Sequence, residues 1–148
     1  MHNPMLVIVT GSKNDAKSTA KAYLNEIVIG PLYDYYGPIS DLDDEYAAFD
    51  RPVSARGRKA RKILADLVSA SEKDGKESVD GALEKMRNGA AWSEVRGKLR
   101  AATSPTNAFV LDATDFSLDY VVDAATLRKV MEHNKDRDLW VCGFDVHY

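Results

Sequence analysis

The sequence holds a single cysteine, Cys142, which excludes an internal disulfide framework and a multi-thiolate zinc site and suits a reducing compartment. No apolar run approaches the roughly 18 residues that span a bilayer. Residues 1–4 carry no basic lead into a long apolar stretch, so no export signal is expected and the chain is expected to be cytoplasmic, away from membranes. An excess of either charge is also missing. Twenty basic against 23 acidic residues leave a net charge of −3, so totals imply neither a polyanion binder nor an acidic disordered tail. Any electrostatic function therefore rests on local clustering. The three histidines, His2, His133 and His147, form no zinc-ligand spacing, and no nucleophile triad is supported. What is present is 148 residues, 45% of them apolar, enough for one domain with a sizeable core.

Residues 5–9 are a continuous apolar run, the pattern of a strand buried on both faces of an α/β sheet. Thr10 and Gly11 end it, and Ala16, Ala20, Tyr23 and Leu24 then fall on one helical face. Residues 27–29 read as a second strand or as the tail of that helix. No period holds over residues 31–54, where Pro31, Gly37, Pro38 and Pro52 punctuate a long loop of the kind that often carries function. Helical spacing resumes with Ala60, Ile63, Leu64, Leu67 and Val68. Residues 70–78, with Gly75, read as a connection. Val79, Leu83, Met86 and Ala90 make another helical stripe, and Trp92, Val95 and Leu99 a further one, with a break at Asn88 and Gly89. Ser104, Pro105 and Asn107 close this part. Residues 108–111 read as a buried strand ending at Asp112, and residues 120–122 as a shorter one. Asp123 suits the N-cap of a helix carrying Leu127, Val130 and Met131 that stops at Asn134, and residues 139–146 read as an interior strand in which Cys142 and Trp140 join the core. The expected fold is a single layered α/β domain.

One stretch has the spacing of a chemical motif. Gly11-Ser12-Lys13-Asn14-Asp15-Ala16-Lys17-Ser18 follows a strand and opens a helix, with glycine, lysine and serine at the fixed positions of a phosphate-binding loop and Ala16 where the second glycine belongs. Here the chain resembles P-loop nucleoside triphosphatases and related nucleotide kinases. The resemblance implies binding of ATP or GTP with Mg2+ and phosphoryl transfer. Gly11, Ser12, Lys13 and Ala16 would line the loop, Lys17 would meet the outer phosphates, and Ser18 would hold the metal. Phe109-Val110-Leu111-Asp112 resembles the family's second motif, which makes Asp112 the carboxylate behind the magnesium. The same residues also read as a plain strand, glycine turn and helix, capped by Asn14 or Asp15 with Lys17 solvated.

Three further clusters bear on function. Arg51, Arg56, Arg58, Lys59, Arg61 and Lys62 form a run without an acid, in which Arg51, Arg56 or Arg58 would steady transition-state charge in the nucleotide reading. The run also reads as a nucleic-acid backbone patch or as a solvated helical face, neutralised by Asp41, Asp43, Asp44 and Glu45. Tyr33, Tyr35, Tyr36 and Tyr46 in the long loop offer rings to stack a base, with Tyr35 the chosen contact, to anchor a protein partner, or to pin the loop to the core. Asp112, Asp115, Asp119 and Asp123 read as metal ligands, an acidic surface or caps. Asp145 and His147 share one strand face at a spacing compatible with a metal. The leading expectation is a nucleotide or phosphate-ligand binder with Lys17, Asp112 and Arg56 as catalytic candidates. The alternatives are a non-catalytic protein-interaction module and, behind it, a nucleic-acid binder.

Overall fold

The computed structural model describes residues 2–30, 33–42, 44–102, 110–115, 117 and 119–147. In chain order these form β1 (His2–Thr10), α1 (Lys13–Tyr23), β2 (Tyr35–Pro38), α2 (Asp44–Ala47), β3 (Val53–Ser54), α3 (Arg58–Arg87), α4 (Trp92–Ala102), β4 (Val110–Asp112), β5 (Asp119–Tyr120), α5 (Ala124–His133) and β6 (Leu139–His147). The two apolar end segments make the sheet's centre: β1 and β6 pair antiparallel along their whole length, with His2 opposite His147 and Thr10 opposite Leu139. The sheet order is β2-β6-β1-β4-β5, with β3 sharing the outer edge of β6. Only β1 and β4 run parallel among these described pairs. The expected α/β layered domain is what forms.

Because side chains alternate along a strand, β1 feeds two cores. Leu6 and Ile8 face Ala60, Ile63, Leu64, Leu67 and Val68 of α3 and Val130 of α5. Met5, Val7 and Val9 face Ala16, Ala20 and Tyr23 of α1, with Leu24 in the π-helical tail that closes it. That tail takes in Ile27 and Val28, while Ile29 is extended and forms an isolated bridge with Tyr33. Cys142 lies in the second core, where burial pushes its thiol up to about 11. At pH 8 the folded protein should therefore leave Cys142 unreactive toward a disulfide-exchange reagent, with one thiol titrating after denaturation. A thiol that reacts as fast in the native protein would place Cys142 at the surface instead.

The long loop is anchored at both ends to β6. Between β2 and β3 it crosses the α3 face, where Ile39 and Phe49 are fully buried. Tyr33 and Tyr36 pack on the α1 face and Tyr46 on the other, so three of the four loop tyrosines pin the loop to the cores.

Two expectations along the helices are corrected. Residues 70–78 are no connection, because α3 continues through them to Arg87. Ion pairs one turn apart, Glu72 with Lys76 and Lys73 with Glu77, support this polar stretch. Gly75 lies against α4, where a Cβ would stand 3.7 Å from the Ala102 carbonyl oxygen. Nor do Val79, Leu83, Met86 and Trp92 bury; they are exposed, Trp92 by 65%. Ala82 and Val95 are the buried residues of this part of the α3–α4 hairpin, and a two-helix contact hides only a narrow stripe. The break at Asn88 and Gly89 is as expected, with Gly89 at φ 72° and its amide donating to the Met86 carbonyl. Asp123 and Asn134 bound α5 as read. Ser104, Pro105, Asn107, Ala108 and Phe109 lie outside the described residues, as do Pro31 and Asp43.

Candidate functional site

The turn after β1 is shorter than a phosphate-binding loop. Helix α1 begins at Lys13, and the amides of Asp15 and Ala16 already donate to the Ser12 carbonyl. Ser12 is the N-cap, neither Asn14 nor Asp15: its hydroxyl accepts the Asp15 amide and donates to the Asp15 carboxylate. That carboxylate stands in the first turn, where it satisfies the helix dipole and repels a second anion. Ala16 faces the core with no exposed surface, so its methyl is packing and lines no loop. Gly11, at φ 116°, makes the tight turn, and its carbonyl accepts from the Trp140 indole at 2.8 Å, while the Lys13 ammonium lies 5.9 Å from the Trp140 ring centre.

Lys17 is not solvated. Its ammonium donates to the Gly143 carbonyl at 3.0 Å and sits 4.2 Å from the centre of the Phe144 ring. Burial pulls its pKa below the ordinary lysine value. The registers of β2 and β3 along β6 skip Cys142 and Gly143, and Lys17 supplies a donor there. The Ser18 hydroxyl donates back to the Asp15 carbonyl at 2.8 Å. Asp112 accepts from the amide and hydroxyl of Thr114 at 3.0 and 2.7 Å, which makes it a turn residue. Asp119 accepts from the Ser117 hydroxyl and Asp123 caps α5, so these acids also serve local backbone. The residues of the nucleotide reading are thus engaged by their own fold. Lys17→Ala should cost about 1.5–3 kcal/mol, the worth of a charge-assisted hydrogen bond, with magnesium-ATP leaving both unfolding midpoints in place. A magnesium-ATP shift that Lys17→Ala removes would restore the phosphate-loop assignment.

Arg56 and Tyr35 do not join that turn. Arg56 donates to the Asn134 carbonyl at 2.6 Å and so caps the C-terminus of α5. Tyr35 pairs with His147, seven residues along β6 from Trp140, which puts it roughly 20 Å from the Gly11 turn. Arg51, Arg58, Lys59, Arg61 and Lys62 are exposed.

Tyr35 instead belongs to the group at the far end of the sheet. The antiparallel register sets His2 across from His147 and Pro4 across from Asp145, which brings His2, Asp145 and His147 to one face. One carboxylate oxygen of Asp145 lies 2.6 Å from His2 Nδ1 and 2.9 Å from His147 Nε2. All three ligand atoms fall within 4.8 Å of one another. Asp145 is 1% exposed, and its other oxygen, Oδ1, is buried without a hydrogen-bond partner among the described residues. The carboxylate is hydrogen-bonded to the His2 ring and lies within ion-pair distance of the His147 ring. The Tyr35 ring stacks on His147 with centres 4.2 Å apart and planes 10° apart, while His2 meets His147 edge-on at 4.2 Å. The His2 side chain is 64% exposed, so the group opens to solvent on that side.

In the sequence, Asp145 and His147 were visible as a pair on one strand face. His2 was not, because its place depends on β1 lying against β6 in register. The usable signal was the pair of long apolar end segments, each carrying a histidine at its outer end. No protein-family model, curated protein or solved structure matches the chain. Among the described residues, no helix is long and apolar enough to cross a membrane.

Proposed function

We propose that this chain is a metal-binding protein that holds a divalent transition ion, zinc or iron(II), at His2, Asp145 and His147. The observation that carries the reading is the buried Asp145 carboxylate, set between two imidazole nitrogens and still short of a partner at Oδ1. A buried anion is costly unless charge or hydrogen bonds compensate it. A cation bound between these three groups supplies that charge.

The donor set decides the class of ion. Two imidazoles and one carboxylate suit zinc and iron(II), whereas calcium and magnesium favour all-oxygen shells. Ligands bonded to one tetrahedral ion at about 2.0–2.2 Å stand roughly 3.4 Å apart. His2 therefore needs to draw back from Asp145 by about 0.8 Å and His147 by about 0.5 Å, which side-chain torsion can provide. Tyr35, stacked on His147, orients that ring from behind. Three protein ligands leave a fourth position on the open His2 side for water or a ligand carried in from solvent. A bound ion of this kind lowers the pKa of its water and polarises oxygen ligands.

Zinc at a hundredfold excess over its dissociation constant should stabilise the fold by about 2.7 kcal/mol. For a chain of this size that raises the midpoint by roughly 5–10 °C. Calcium at the same concentration should leave the midpoint in place. A midpoint unmoved by zinc and by anaerobic iron(II) would remove the proposal.

A further inference from the structure

A second feature stands at the opposite end of β6 from the metal-ligating group. Residues of α3 and α5 line an open groove of about 740 Å3. Its floor is apolar: Leu64 is fully buried, and Leu127 and Met131 are half-buried against the same core. Leu127 and Met131 are one helical turn apart, so the floor follows the helix axis rather than closing into a cup. Four cations rim it, Arg56, Arg61, Arg128 and Lys135, against one acid, Glu132, which lies 3.7 Å from Lys135. Arg56 uses one nitrogen on the Asn134 carbonyl, and all four side chains belong to exposed residues.

We infer that this groove binds an acidic amphipathic helix of a partner protein. An apolar stripe at i, i+3 or i+4, and i+7 would lie on Leu64, Leu127 and Met131, as in other helix-in-groove recognition. Its aspartates and glutamates would meet Arg61 and Arg128 from the flanks. The charge pattern sets this apart from two other occupants. A nucleic-acid strand needs a polar track and aromatic faces for its bases, and this floor has leucine and methionine with no aromatic lining it among the described residues. A small organic anion is normally held in a cleft that buries most of its surface, and this groove is open along its length. The fit needs a ligand that is apolar on one side and anionic on both flanks.

The test uses the full chain and a displayed library of 14-residue peptides of randomised sequence, with counter-selection on the Arg61→Glu/Arg128→Glu variant. Both charge reversals lie on exposed helix positions, and circular dichroism checks that the variant is folded. Enriched peptides should combine a helical apolar stripe with two or more acids. A synthesised winner should lose affinity about tenfold on each single reversal, and a lysine-for-acid version of it should bind the double variant in preference to the wild type. The inference is overturned by no enrichment, by winners without acids, by equal binding to both proteins, or by an oligothymidylate that displaces the winner from the groove.

Discussion

Gly143→Val should cost the fold about 3 kcal/mol or more, the upper range for forcing extra carbons into a filled core. Gly143 sits mid-strand in β6, where Ile39 and Phe49 of the crossing loop come down onto the sheet. A Cβ there would stand 2.7 Å from Ile39 Cδ1 and 2.8 Å from Phe49 Cβ. The Ile39 methyl can rotate away. Phe49 Cβ cannot, because it is fixed to its own backbone, so residues 39–50 would have to lift. Lifting them exposes two side chains that are now fully buried and disturbs the strand whose carbonyl Lys17 holds. Gly143→Ala, with one carbon, should fall nearer 1–3 kcal/mol, and the valine variant should melt roughly 10 °C below the wild type. Urea unfolding of both variants measures this. A valine variant within about 0.5 kcal/mol of the wild type, the range typical of surface changes, would mean that the loop does not close over Gly143.

Asp145→Asn should reduce zinc affinity by more than about 100-fold, since loss of a mere outer-sphere partner already costs 10–100-fold. The amide keeps the shape of the carboxylate but brings no negative charge, and its nitrogen cannot ligate. Without metal, the same change has two opposed effects. It relieves the burial of an anion and weakens the hydrogen bond with His2 and the contact with His147. Stability of the metal-free protein should therefore move by less than about 2 kcal/mol, because these contributions are of similar size and opposite sign. Calorimetric titration of zinc into wild type and variant, alongside their metal-free unfolding curves, separates the two effects. Equal affinities would show that Asp145 is no ligand, and a variant unfolded without metal would show that the carboxylate is chiefly structural.

The two central strands were legible in the sequence because a strand buried on both faces needs no alternation, only an unbroken apolar run. The stripe of Ala16, Ala20, Tyr23 and Leu24 was legible for the matching reason, one helical face against one sheet face. The full length of α3 was not, since residues 70–78 are held as a helix by ion pairs and by α4, and an apolar periodicity cannot register either. The phosphate-loop spacing reads identities without backbone. Ser12 is as good a cap as it is a loop residue, and capping starts the helix within the motif. Gly143 is the place where the crossing loop touches the sheet. The candidate centre was half legible: two ligands share one strand, and the third arrives only through the pairing of the chain's two ends.

X-ray absorption on the zinc-loaded protein reads the ligand set directly. One ion per chain is expected, surrounded by two imidazoles and at least one oxygen at about 2.0–2.2 Å, with imidazole scattering lost in His147→Ala. An ion held only by oxygens, or by the Cys142 sulfur, or left unchanged by His147→Ala, would contradict the proposed centre.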